Sequence, residues 1–145
     1  MADWVIVVDD DETNLKMAGH ILSRANMRVT AMTSGKALID YIGEKEEVPD
    51  LILLDIKMPG MDGFETLTEL RKTDKGKDIP VIFLTADEKE GTEVKGLSLG
   101  AMDFVKKPFV PEVLTTRVRH IIDLCHLQRD FSSEVEKRLK EIKGT

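Results

Sequence analysis

Five short apolar runs punctuate the chain: Trp4-Val5-Ile6-Val7-Val8, Met27-Arg28-Val29-Thr30-Ala31, Leu51-Ile52-Leu53-Leu54, Val81-Ile82-Phe83-Leu84 and Asp103-Phe104-Val105-Lys106. Three are almost continuous hydrophobes, with no polar alternation. That is the pattern of strands covered on both faces in a parallel sheet. Between the runs the period changes. Leu15, Ala18, Leu22 and Ala25 recur at spacings of three and four, as do Phe64, Leu67 and Leu70, which predicts amphipathic helices. Segments 35–43 and 88–98 complete an alternation of strand and helix. Start signals agree with it. Asp62-Gly63-Phe64-Glu65 and Asp87-Glu88-Lys89-Glu90 each place Asp at an N-cap with Glu three residues later, Ser34 precedes the second helix, and Asp11 caps the first. Pro80 heads its strand, where a missing N–H does little harm, and Pro111 suits a first helical turn.

The predicted order is (βα)5, a doubly wound parallel sheet with right-handed crossovers. Such a sheet gathers its ligand site outside the carboxyl ends of the strands. After residue 110 the pattern becomes one long helix, free of Gly and Pro over 112–143. Val113, Leu114, Val118, Ile121 and Ile122 are expected to cover the sheet. A second stripe runs through Leu124, Leu127, Phe131, Val135, Leu139 and Ile142, advancing 18 residues in five steps. This is straight-helix periodicity and not a strict heptad. A lone domain has no need of apolar residues beyond its sheet, so the tail is expected to meet a partner helix or lead to another domain.

Composition narrows the functional classes. The 145 residues are 41% hydrophobic and 33% charged, fitting one soluble globular domain. No run approaches the roughly 20 apolar residues of a membrane span, and no secretory signal opens the sequence, so the reading is cytoplasmic. One cysteine, Cys125, and three scattered histidines exclude a disulfide framework and a typical zinc site. His20, His120 and His126 read as helix-surface residues, Cys125 as a helix-packing residue, and the methionines as core filler. The net charge of −6 argues against a nucleic-acid surface. It is concentrated early: residues 1–110 carry 14 Lys and Arg against 21 Asp and Glu, whereas 111–145 carry 7 against 6.

The acidic excess points to chemistry at the predicted sheet edge. Strand one ends in Asp9-Asp10-Asp11, strand three in Asp55 and strand four in Thr85, and Lys107-Pro108 follows strand five. Carboxylates gathered there repel by about 4 kcal/mol per pair at about 4 Å and an effective dielectric near 20. A hard divalent cation, Mg2+ above all, is the natural counter-ion, and Lys107 supplies a second positive charge. A carboxylate, a divalent ion, a hydroxyl and an ammonium around one point suit phosphoryl transfer, with Asp55 as the group that receives the phosphoryl. The loop after it, Ile56-Lys57-Met58-Pro59-Gly60-Met61-Asp62-Gly63, has turn chemistry able to hold backbone groups beside the site.

Taken together, Val7-Val8-Asp9-Asp10, the 55–63 segment, Leu84-Thr85-Ala86 and Phe104-Val105-Lys106-Lys107-Pro108-Phe109 resemble the receiver domain of two-component response regulators, over residues 4 to about 124. The resemblance implies a flavodoxin-like three-layer sandwich, with a receiver at 1–124 and a helical extension at 125–145 serving as coiled-coil-like linker or dimerisation segment. It implies phosphorylation of Asp55 by a sensor histidine kinase or a phosphotransfer protein. In family terms Asp10, Asp55 and the Lys57 carbonyl ligate Mg2+, Asp9 acts directly or through water, and Thr85 and Lys107 bind phosphoryl oxygens. Phe104 takes the place of the rotating switch aromatic, and the Lys107–Pro108 bond is expected to be cis.

Lys57 and Asp87 are individual to this sequence and are expected to pair across the path of the hydrolytic water. The leading reading is a phosphorylation-controlled switch, not an enzyme, forming the N-terminal part of a longer regulator. A free-standing receiver or phosphorelay intermediate is the alternative. A Mg2+-dependent phosphatase is disfavoured because Lys57 stands where such enzymes carry a second Asp. A nucleotide-binding protein is disfavoured because no glycine-rich phosphate loop follows strand one. No helix-turn-helix remains for DNA, no membrane contact is expected, and the C-terminal helix allows a homodimer, with the oligomeric state left open.

Overall fold

A computed structural model describes residues 2–86 and 90–143. The elements follow in strict alternation: β1 (Trp4–Val8), α1 (Glu12–Arg24), β2 (Arg28–Met32), α2 (Gly35–Glu44), β3 (Leu51–Asp55), α3 (Gly63–Arg71), β4 (Val81–Thr85), α4 (Glu90–Ser98), β5 (Asp103–Lys106) and α5 (Pro111–Lys143). All strands run parallel in the order β2-β1-β3-β4-β5. This is the flavodoxin-like doubly wound sandwich the alternation predicts, with α5 extended beyond it.

The three continuous apolar runs occupy the middle of the sheet, where every residue of β1, β3 and β4 is buried. Successive side chains of each strand enter opposite layers. Ile6, Val8, Ile52, Leu54 and Phe83 pack beneath α2 and α3, while Val5, Val7, Leu51, Leu53, Ile82 and Leu84 pack beneath α1 and α5. β2 and β5 are the edges and are only partly covered.

The capping residues act as expected. Asp11 accepts from the Thr13 amide at 2.8 Å, Ser34 from Ala37 at 3.1 Å and Asp62 from Glu65 at 2.8 Å. The Asp87 cap lies outside the described residues. β2 begins one residue later than its apolar run. Asn26, at φ 64°, closes α1, and the Met27 amide is taken by the Leu22 carbonyl, leaving Arg28 as the first residue to join the sheet.

On α5, Leu114, Val118, Ile121 and Ile122 are buried as predicted. Val113 is instead 40% exposed. It shares the outward row with Arg117, which reaches round to Asp103 and the Phe104 carbonyl. The methionines also divide: Met27 and Met58 are core, whereas Met17 and Met102 face outward. Beyond the sheet, Leu127, Phe131, Val135 and Leu139 are exposed. The side chain of Ile142 is outside the described set.

Candidate functional site

Sheet order makes the site. β1 and β3 are neighbours at the centre, so Asp9, just past β1, and Asp55, the last residue of β3, emerge side by side. Asp9 is fully buried and Asp55 nearly so, while Asp10 faces solvent. Carboxylate oxygens of the three lie within 4.8 Å of one another. The chain geometry supports this crowding. The Asp9 amide bonds the Met32 carbonyl, its Oδ1 accepts from the Asp11 amide at 2.9 Å, and Asp11 in turn caps α1.

β5 brings the cation. Lys107 Nζ stands 2.8 Å from Asp9 Oδ2 and 3.0 Å from Asp55 Oδ1. The cis peptide at Lys107–Pro108 agrees with the expectation. Thr85, at the end of β4 and buried, lines the same cavity of about 220 Å3, together with Asn14 and Lys57. A larger groove of about 450 Å3 between α1 and α5 has no comparable convergence of charges. Chemistry, not volume, picks out the site.

The Asp55 carboxyl is raised from 3.8 to about 6: burial pushes it up most, Lys107 pulls it down, and the neighbouring Asp9 adds to the rise. For Lys107, burial alone disfavours the charge, but its contacts with Asp9 and Asp55 together win and leave its pKa raised. With all three carboxylates ionised, one ammonium leaves the cluster two charges negative.

These residues fit a divalent cation. Asp9 Oδ2 is buried and, despite the close Lys107 ammonium, has no partner at hydrogen-bonding angles. The ammonium offsets its charge and leaves lone pairs that a cation can take. Three hard oxygens at close range match Mg2+, which takes one or two carboxylates and keeps waters.

The loop after Asp55 is folded back onto it. The Gly63 amide donates to the Ile56 carbonyl at 2.8 Å, and a Cβ at residue 63 would lie 2.4 Å from the Asp55 carbonyl oxygen. Asp62-Gly63 therefore does more than start α3: only glycine allows the turn to close over the end of β3. Sequence reasoning found Asp62 as a cap and missed the reason for Gly63.

Phe104 is 6% exposed, with its ring 5.7 Å from that of Phe83. Phe83 in turn meets Phe64 edge-on at 5.3 Å. Gly96, which the sequence did not single out, lies against this aromatic row. Asp87 lies outside the described residues, and with it the expected Lys57–Asp87 pair. The histidines divide. His20 and His120 are exposed on their helices, whereas His126 is partly covered, 3.5 Å from Asp50.

A doubly wound parallel sheet carrying three carboxylates, a hydroxyl and a lysine at its carboxyl edge defines a flavodoxin-like fold with an acidic site able to take a cation. The comparisons narrow this to one family. Residues 5–119 match the response regulator receiver domain, and the chain belongs to that family. It is 31% identical to the BeF3-activated receiver domain of DrrB from Thermotoga maritima, with TM-score 0.74 over 85% of this chain and 99% of that one. The chemotaxis protein CheY4 of Vibrio cholerae is 27% identical, with TM-score 0.77 over 83% and 99%. NtrX from Brucella abortus, solved in complex with ADP, is 27% identical with TM-score 0.82, over 91% of this chain but 30% of its own length. The phosphatase alternative draws no support from these matches. Among the described residues, no helix is long and apolar enough to cross a membrane.

Proposed function

We propose that the chain is a phosphorylation-controlled switch whose acceptor is Asp55, charged by a sensor histidine kinase or a phosphotransfer protein in the cytoplasm. The observation that carries this reading is the pairing of one lysine with two buried carboxylates from different strands, beside a third carboxylate. An Asp55 oxygen attacks the phosphorus of a phosphohistidine. The P–N bond breaks, an acyl phosphate forms on Asp55, and the electron pair stays on the ring nitrogen, so that an imidazole already protonated on its other nitrogen leaves neutral.

Asp10, Asp55 and the Lys57 carbonyl would hold Mg2+, with Asp9 acting directly or through water. When bound, the ion neutralises charge on the transferring group. Lys107 orients one phosphoryl oxygen through its ammonium, and Thr85 another through its hydroxyl. The added oxygens and charge draw Lys107 and Thr85 to Asp55, and Phe104 packs into the space this leaves, remaking the surface of α4, β5 and α5.

Residues 1–124 are the receiver and 125–145 a helical extension that carries the signal onward or pairs two copies. The exposed stripe of Leu127, Phe131, Val135 and Leu139 supports this division, as does the likeness to NtrX, a chain more than three times as long as the matched part. Incubation with acetyl phosphate and Mg2+, followed by intact mass and sedimentation, tests the reading. One phosphoryl group per chain, absent from Asp55→Asn, is expected. Continued labelling of that variant, or steady turnover of phosphomonoesters, would overturn the assignment.

A further inference from the structure

Glycine inside a helix is a liability relative to alanine, so its presence in mid-helix calls for a local reason. Gly96, within α4, has one. A Cβ there would lie 2.6 Å from Phe104 Cζ and 2.9 and 3.0 Å from Phe83 Cδ2 and Cε2. Carbon atoms do not approach so closely, so with any other residue something must move. Phe83 is fully buried and backed by Phe64, leaving it nowhere to retreat. Phe104 is on the edge strand with its ring tip against α4, and it is the ring free to leave. The helix cannot simply lift either. The Gly96 carbonyl accepts the amides of Leu99 and Ala101 at 3.2 and 3.1 Å, tying the end of α4 and the turn into β5 to the same residue.

We infer that Gly96 is the positioning residue of the switch: its bare Cα is the seat for the inward Phe104 ring, and through that seat the ring sets the placement of α4. Leu97 and Met102, exposed on either side of the turn, are the surface that reports it. The inference rests on the phosphoacceptor reading above. A phosphoryl group at Asp55 favours the inward ring, so anything that blocks the seat weakens binding at Asp55 by the same factor, although Gly96 touches neither Asp55 nor the anion.

The test is titration of beryllofluoride with Mg2+ into the chain carrying 13C-labelled phenylalanine, followed by NMR. Gly96→Ala is expected to weaken beryllofluoride binding by about 5- to 150-fold, the usual span of coupling between sites. In the Phe104→Leu background the same substitution is expected to have a smaller effect, because the contact with the Phe104 ring is gone and only that with Phe83 remains. An equal loss in both backgrounds, or wild-type affinity in Gly96→Ala, would overturn the inference while leaving the acceptor assignment intact. Failure of the wild type to bind beryllofluoride would remove the acceptor assignment and this inference with it. Should Gly96→Ala not fold, the wild type still decides: the Gly96 Hα to Phe104 Hζ Overhauser effect must strengthen on beryllofluoride binding, and a weakening refutes the seat.

Discussion

Asp55→Asn is the most direct measure of what the site costs the fold. In the folded chain burial holds the Asp55 carboxyl near 6, against 3.8 for an ordinary aspartate. The sign follows from proton binding. Between these values the folded state holds more protons than the unfolded one, so stability falls as pH rises from about 4 to about 6, and the penalty is complete above that. The displacement amounts to about 3 kcal/mol. Asparagine fills the same space without the charge, and Lys107 keeps its partner in Asp9. Without divalent cation, Asp55→Asn is therefore expected to be more stable than the wild type by about 3 kcal/mol at pH 7–8, or about 6–12 °C in Tm. The gain should vanish below pH 4. Urea denaturation at a series of pH values without Mg2+ reads it directly, and adding Mg2+ should narrow the gap by stabilising only the wild type. A variant equally or less stable at pH 7–8, or a gain independent of pH, would refute the claim that burial of this charge dominates the site.

Gly63→Ala places a methyl group against the Asp55 carbonyl, and a loss of about 1–3 kcal/mol is expected in the same denaturation assay. Arg71, half-buried with its pKa lowered by burial, donates to the carbonyls of Gly76, Ile79 and Gly100 and so joins the turns before β4 and β5. Arg71→Leu strands these acceptors and should cost about 2–4 kcal/mol, with Lys unable to reproduce the fork. If the stripe on α5 pairs two copies, Phe131→Glu, at a residue 72% exposed, should leave folding unchanged within about 0.5 kcal/mol and shift sedimentation toward monomer.

The parts of the fold legible in sequence are those that local physics determines. β1, β3 and β4 were readable because strands buried on both faces must be apolar throughout, and Asp11, Ser34 and Asp62 because a cap needs a short polar side chain at one place. The site was legible for a related reason: Asp9, Asp10, Asp55, Thr85 and Lys107 all fall at strand ends, and a doubly wound sheet sends those ends to one edge. Contacts between distant segments were not legible. No periodicity tells that Gly96 lies under Phe104, that Gly63 touches the Asp55 backbone, or that His126 comes within 3.5 Å of Asp50. Val113 was misplaced because an apolar residue at the border of a helical stripe can fall on either side, and here its row is the one Arg117 uses to reach β5.

The same long-range contacts give the site a route outward. β5 carries Phe104 and runs directly into Lys107, so the segment that supplies the ammonium also supplies the aromatic ring. Under the proposed function, movement of Lys107 toward a new charge on Asp55 would act on a segment of four paired residues at the sheet's edge, whose Phe104 and Val105 enter opposite core layers. Two contacts read that segment from outside the sheet. Gly96 of α4 meets the Phe104 ring, and Arg117 of α5 donates to the Phe104 carbonyl while pairing with Asp103 at 3.3 Å. α5 then continues without a break into the exposed stripe. Arg117, Phe131 and Leu139 thus lie on one unbroken helix, with no hinge residue between them. Under the function proposed for Asp55, the tail would therefore take its signal through the contact of Arg117 with the Phe104 carbonyl.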